Sequence, residues 1–495
     1  MLGCMTTISA GAERAALDAV PTQLFIGGEW RAAGGGGTLP VEDPATGRTL
    51  VEVADASVED GLSALACADE AFRSFRHVAP RERGEILRRA YELMTERTEQ
   101  LALLMTLEMG KAIAESRAEV AYAASYFRWY AEEAVRINGR FQVAENGLSR
   151  VLTMGQPVGP CLFITPWNFP LAMGTRKVGP AIAAGCTSVV KPAKQTPLCM
   201  LAMAQILEQA GLPPGVCNVI TARSSGELMA PLIADSRARK LSFTGSTQVG
   251  RKLVEQASEQ LLRMSMELGG NAPFLVFEDA DLDVAVDGAM LAKMRNIGEA
   301  CTSANRFLVH ESVAGEFSAR MAERMRGLVL GRGTDEGVTT GPLIDQAARA
   351  GVHELVEDAV GRGAQVLVGG EPRDGEGYFY EPTVLGDVPA DARVQSEEIF
   401  GPVAPVISFA SDEQAVALAN ATEYGLSSYV FTRDVNRAFH VIEALEVGMV
   451  GLNQGMVSNA GAPFGGVKWS GYGREGGPEG LEEYLETKYV AMNIG

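Results

Sequence analysis

Leu241-Ser242-Phe243-Thr244-Gly245-Ser246-Thr247-Gln248-Val249-Gly250 is the stretch on which the fold turns. A short apolar run ends in a Gly/Ser turn, and a helix-like segment over about 247–260 follows. The texture recurs upstream. Cys161-Leu162-Phe163-Ile164, Thr187-Ser188-Val189-Val190 and 216–221 are further apolar runs, separated by helical patterns near 172–185, 198–210 and 225–234. Short buried strands alternating with helices imply a parallel sheet covered on both faces. Ligands of such sheets bind beyond the strands' C-terminal ends. Trp167, Asn168, Lys191 and Ser246 follow those ends. The helix after Gly245 offers free N–H groups and a positive dipole end to a phosphate, and the glycine permits close backbone approach. Alone this turn is a weak signal, since it is neither a GxGxxG fingerprint nor a P-loop.

The rest of the chain falls into blocks around that sheet. Residues 22–55 read as short strands and turns, with Gly34 to Gly37 as a flexible tip. Over 58–133 the pattern is helical, with Leu87, Ala90, Leu93 and Met94 on one face. A second alternating block opens at Pro273-Phe274-Leu275-Val276-Phe277 and runs to about 465, with the boundary expected at the Glu267–Gly270 turn. Segments 135–154 and 481–495 look strand-like and fit neither block.

A chain of 495 residues suggests roughly two to four domains. Apolar content of 46% and charged content of 21% are those of an ordinary globular protein, and the length allows a sizeable core. A net charge of −19 argues against nucleic acid or an anionic membrane as partner. The cysteines, Cys4, Cys67, Cys161, Cys186, Cys199, Cys217 and Cys301, are odd in number and contain no CxxC, which reads as reduced cytoplasmic thiols. The histidines do not cluster, so no metal site is expected. No apolar run reaches membrane-spanning length. Met1 to Ala12 reads as a short disordered lead without the features of a signal peptide.

Three motifs carry chemistry. Cys301 stands in Asn296-Ile297-Gly298-Glu299-Ala300-Cys301-Thr302, Glu267 in Met266-Glu267-Leu268-Gly269-Gly270, and Asn168 in Pro166-Trp167-Asn168-Phe169-Pro170. A thiolate attacks a carbonyl, an amide holds the oxyanion, and a carboxylate activates the water that ends the cycle. These motifs in this order resemble the aldehyde dehydrogenase superfamily from about residue 22 onward. The resemblance implies a Rossmann-like parallel-sheet cofactor domain (13–134 and 155–267), a second α/β catalytic domain (268–470) and a small β oligomerisation segment (135–154 and 481–495). It implies Cys301 as nucleophile, Asn168 with the Cys301 N–H as oxyanion donors, Glu267 as base, and Lys177 and Glu475 on a proton path.

The family binds its dinucleotide through the variant turn at Gly245 and Ser246. By the same resemblance Thr165, Trp167 and Lys191 line the cofactor site. Glu398 and Phe400, in Glu397-Glu398-Ile399-Phe400-Gly401-Pro402, lie on the nicotinamide side. NAD-preferring members often carry a glutamate where this chain has Lys194. A cation there removes the repulsion of a 2′-phosphate and can pair with it, and Arg223 adds to the field. NADP is therefore expected to be accepted, alone or with NAD.

The stretch from Ala462 to Gly476, and the one from Thr165 to Gly185, look like the succinate-semialdehyde dehydrogenase branch. There, positions matching Arg176, Arg295 and Ser458 bind the substrate's distal carboxylate, as two guanidinium forks can. A compact sulfonate or a longer acid would suit the same groups, so sulfolactaldehyde and glutarate semialdehyde stay open as substrates. The sequence departs from the family at Glu299, where many members have Gln and where a carboxylate facing the site would raise the thiol pKa. It departs at Ser303, which rules out the redox disulfide of some relatives, and at Trp469, where Gln is usual. An acylating enzyme using coenzyme A is opposed by Glu267, and a non-catalytic paralogue by the retained trio. The expected assembly is a homodimer or homotetramer in the cytoplasm.

Overall fold

The computed structural model describes residues 8–493. The strands Pro160–Ile164, Thr187–Lys191, Cys217–Val219, Lys240–Thr244 and Arg263–Glu267 form the parallel centre of an eight-stranded sheet. Pro160–Ile164, Thr187–Lys191 and Lys240–Thr244 are buried along their whole length, as strands covered on both faces must be. Helices Ala172–Ala184, Leu198–Gln209, Ser225–Ala234 and Thr247–Ser258 connect them. The first ends at Gly185, whose φ of 92° suits glycine and lets the chain turn back into the sheet.

Two edges close this sheet. Leu24–Ile26 and Glu29–Arg31 add on one side in antiparallel fashion. On the other, Gly471–Tyr472 pairs antiparallel with Met266–Glu267. Gly471 is required there, because a Cβ would stand 1.9 Å from the Met266 carbonyl oxygen. That pairing draws the C-terminal segment, with Glu475, beside the strand that ends in Glu267.

A second, seven-stranded sheet runs in the order 365–368, 383–386, 403–409, 304–310, 272–276, 427–431, 449–452 and is parallel apart from its first pair. Phe274, Phe307 and Phe431 stack inside it, and each such side chain contributes about 1.5–3 kcal/mol by leaving water. Arg140–Val143, Arg150–Pro157 and Leu485–Met492 form a separate three-stranded antiparallel sheet. Its exposed apolar residues include Phe141 (64%), Leu148 (77%, in the adjoining turn) and Tyr489 (60%).

The expected mixed α/β class with parallel sheets is the one found. The expected disordered lead needs correction. Residues 1–7 lie outside the described residues, but Ala10–Asp18 is a helix capped by Ser9, whose hydroxyl accepts the Ala12 N–H. Ala16 and Leu17 are buried against the core, and that packing is the apolar reward that a reading for signal peptides overlooks.

Candidate active site

The helix Leu282–Met294 gives way to a turn with three successive positive φ values, Asn296 (53°), Ile297 (63°) and Gly298 (80°). A β-branched residue in the left-handed region is costly and persists only where its surroundings hold it. Here they do. The Asn296 N–H donates to Glu115 Oε1 at 2.6 Å, and Ile297 is buried. At Gly298 a Cβ would stand 2.2 Å from the Gly401 carbonyl oxygen. The strained turn delivers Cys301 to the wall of a cavity of about 300 Å³ that Asn168 and Glu267 also line.

Asn168 is held on both sides of its amide. Its Oδ1 accepts the Phe169 N–H at 3.1 Å, and its Nδ2 donates to the Glu299 carbonyl at 3.0 Å. The Asn296 amide donates to the Asn168 and Glu299 carbonyls at 3.0 and 2.9 Å. Lys111, paired to Glu119 at 2.5 Å, donates to the Asn168 carbonyl at 2.8 Å. The amide nitrogen is thus aimed at the loop that carries the thiol.

Glu267 ends its strand buried, with neither carboxylate oxygen hydrogen-bonded. Burial, and then Glu475, push its pKa well above the usual carboxylate value, against Arg176, Lys177 and Arg474. Glu475 pairs with Lys177 at 2.5 Å and with Arg176. Lys177 also donates to Ser242 and Thr244 hydroxyls at 3.0 and 2.8 Å. Burial would raise Glu475, but the two cations outweigh it and leave the pKa lowered. Cys301 is pushed up to about 12, by burial first and by Glu398 and Glu267 next, while Arg176 and Arg295 oppose the rise.

Of the residues expected on the cofactor side, Trp167, Gly245, Ser246, Glu398 and Phe400 line the same cavity, and Thr165, Lys191 and Lys194 do not. Trp167 and Phe400 meet edge to face at 5.5 Å, and Phe400 itself has a φ of 48°. Ser246 caps the helix Thr247–Ser258. Glu398 Oε1 accepts the Gly270 N–H at 3.1 Å, and burial pushes its carboxyl up to about 7. Lys191 is buried, with Ser225 Oγ as its hydrogen-bond partner, and burial lowers its pKa to about 8. Thr165 Oγ1 is buried without a partner. Lys194 is exposed, makes no ion pair among the described residues, and lines a smaller cavity of about 220 Å³ with Arg223. Arg223 is partly committed to Asp55 at 3.6 Å.

These features fit a nicotinamide dinucleotide. A capped helix N-terminus faces the cavity across Gly245. Lys191 and Thr165 are buried polar groups short of partners. A Cβ on Gly269 would stand 2.6 Å from Glu398 Oε2, so a larger residue there would displace the Glu398 carboxyl.

A second cavity, of about 500 Å³, lies on the other side of the loop. Arg295 and Ser458 line it, with Arg295 Nη1 donating to Ser458 Oγ at 3.2 Å. The Arg295 guanidinium stacks on Phe169 at 4.7 Å and makes no ion pair among the described residues. Arg176 is placed differently. It is fully buried against Glu475 and over the Phe464 ring at 4.1 Å, lines neither cavity, and keeps Nη1 without an acceptor.

Two departures resolve. Glu299 turns away from the thiol, its Oε1 accepting the Ile344 N–H at 3.1 Å, so it is its carbonyl that serves the site. The expectation that it raises the thiol pKa is not met, since Glu398 and Glu267 do so. Trp469 lines neither cavity. It lies against Arg251 at 5.2 Å, beside the helix that Ser246 caps. Sequence reading missed Lys111, Glu115 and Asn296. Acidic Glu115 and Glu119, one turn apart on a helix that packs into the core, were the available sign.

The aldehyde dehydrogenase family model matches residues 30–490. A succinate-semialdehyde dehydrogenase of Paenarthrobacter nicotinovorans is 58% identical, over 90% of this chain and 98% of its own. A glutarate-semialdehyde dehydrogenase of Pseudomonas putida is 49% identical, over 95% and 98%. The crystal structure of an E. coli NADP-dependent enzyme superposes with a TM-score of 0.95 at 47% identity, covering 97% of this chain and 99% of that one.

Proposed function

The chain belongs to the aldehyde dehydrogenase family, and we propose that it oxidises a small acidic aldehyde, succinate semialdehyde first, to the carboxylate with NADP or NAD. The observation that carries the substrate is Arg295. A half-buried guanidinium without a carboxylate partner, joined to a serine hydroxyl, suits an anion held bidentately. Arg176, fully buried against Glu475 and lining neither cavity, makes no direct contact in this reading.

In this reading the Cys301 thiolate adds to the aldehyde carbon. The Asn168 amide and the Cys301 N–H hold the oxyanion in a site with little water. The nicotinamide dinucleotide, when bound, supplies the hydride acceptor. Thr165, Trp167, Lys191, Gly245, Ser246, Glu398 and Phe400 would hold it, and Lys194 would supply a cation for a 2′-phosphate. Once the adduct has lost hydride, Cys301 carries a thioester. Glu267 acts in its ionised form, which its raised pKa makes the stronger base, and takes a proton from the attacking water. Lys177 and Glu475 continue the path for that proton.

We assign 13–134 with 155–267 to cofactor binding, 268–470 to catalysis, and 135–154 with 481–495 to self-association into a dimer or tetramer. The exposed Phe141 and Tyr489 support the last. Among the described residues no helix is long and apolar enough to cross a membrane. The −19 charge and free thiols favour a cytoplasmic enzyme without nucleic-acid partners. A kcat/KM panel of succinate semialdehyde, glutarate semialdehyde, sulfolactaldehyde and neutral aldehydes, with both cofactors, tests the assignment. Equal efficiency on acidic and neutral aldehydes would refute it.

A further inference from the structure

The larger cavity holds a group that the reaction above leaves unused. Glu115 lies in the first turn of the helix Ile113–Glu133 and lines the cavity with Arg295 and Ser458. Its Oε1 accepts the Asn296 N–H at 2.6 Å, whereas its Oε2 is buried without a hydrogen-bond partner. A carboxyl group's inventory makes this asymmetry informative. An ionised carboxylate would leave a charged oxygen buried and unsatisfied. A neutral acid accepts with one oxygen and leaves an O–H on the other without an acceptor, so in either form Oε2 lacks one partner, and an anion can fill that place only for the neutral form.

The surrounding charges narrow the options. Lys111 is already paired with Glu119 at 2.5 Å. Arg324, from the helix Glu311–Arg326, pairs with Asp287. Tyr122, from Glu115's own helix, bonds the Tyr126 hydroxyl at 2.5 Å. That leaves Arg295 as the uncommitted cation. Burial raises the Glu115 pKa. The Asn296 N–H, Lys111 and Arg295 pull it down, and Glu119 adds to the rise.

We propose that Glu115 is a specificity-determining residue that acts as the neutral acid, its Oε2–H donating to the far anion of the aldehyde beside Arg295 and Ser458. This rests on the acidic-aldehyde reading. Once ionised, Glu115 competes for Arg295 and repels the anion. Where Glu115 is ionised in the free enzyme, the substrate's anion therefore enters with a proton taken from solvent.

The test compares kcat/KM for succinate semialdehyde with that for butanal, because the ratio cancels the titration of the thiol. In the wild type the ratio should fall by up to about tenfold per pH unit once Glu115 ionises. In Glu115→Gln the amide donates at every pH, so the ratio should stay within about twofold from about pH 6 to about pH 9.5. A flat wild-type ratio, or an unchanged slope in the variant, overturns the proposal. A second measurement needs no variant. Butyrate, which carries the far carboxylate without an aldehyde, should bind with proton uptake over the pH range in which the wild-type ratio falls, read by calorimetry in buffers of different ionisation enthalpy. No uptake also overturns it. Arg295→Leu separates the two readings. If it collapses the ratio while Glu115→Gln leaves the slope, Glu115's role alone falls. If it leaves the ratio unchanged, the acidic-aldehyde reading falls as well.

Discussion

The two cavities flanking the 296–301 loop differ in the charge they leave uncommitted. Around Cys301 stand carboxyl groups that burial pushes up, Glu398 to about 7 and Glu267 well above the usual carboxylate value, with Glu267 making no hydrogen bond. Across the loop stands Arg295, a cation that no carboxylate neutralises, while neighbouring Lys111 is spent on Glu119. Groups poised near neutrality suit proton transfer, and a fixed unpaired cation suits binding. In the proposed reading chemistry and selection use separate cavities, and each can be altered separately.

The sharpest break is at the thiol. Cys301→Ala should lower turnover by a factor on the order of 10⁴ or more, because no hydride leaves before the adduct forms. Binding of NADP, followed by fluorescence titration, should survive. Substantial residual oxidation would defeat the mechanism.

Glu267→Gln comes next. Deacylation should slow by roughly 10²–10⁴-fold, the usual worth of a general base. Stopped-flow traces should show a burst of reduced cofactor and then a stall. Equal loss of the burst would move Glu267 to thiol activation.

The raised thiol pKa has its own sign. The thiolate is the reacting form and its pKa lies near 12, so below that value its fraction climbs with pH. Single-turnover hydride transfer should climb by up to about tenfold per pH unit, without levelling near the ordinary thiol value. A plateau near that ordinary value would mean that the working enzyme relieves the burial.

Lys194→Glu is the smallest change. Lys194 is exposed, so solvent screens it, and the NADP-to-NAD preference should shift by about 1 kcal/mol, roughly fivefold. An unchanged ratio of the two kcat/KM values would place Lys194 away from the ribose.

Much of the architecture was legible because fully buried strands announce themselves. Pro160–Ile164 is apolar throughout. Arg263–Glu267 was not, since Arg263, Ser265 and Glu267 break the apolar run, and neighbouring strands rather than composition make it a strand. The site was legible where a motif is contiguous, as around Cys301 and Asn168. It was not where a side chain's direction decides. Nothing local says that Glu299 turns toward Ile344, or that Arg176 sinks against Glu475 while Arg295 stays free. Those outcomes depend on residues far along the chain, 45 positions away for Glu299 and nearly three hundred for Arg176.

The account's central claim is that an unpaired arginine selects an acidic aldehyde. Arg295→Leu, assayed with succinate semialdehyde and with butanal, tests it most directly. A charge-assisted contact is worth about 1.5–3 kcal/mol, so kcat/KM for the acid should fall by roughly 10- to 150-fold while that for butanal stays within about twofold. An equal fall for both aldehydes would make Arg295 a structural residue and contradict the claim.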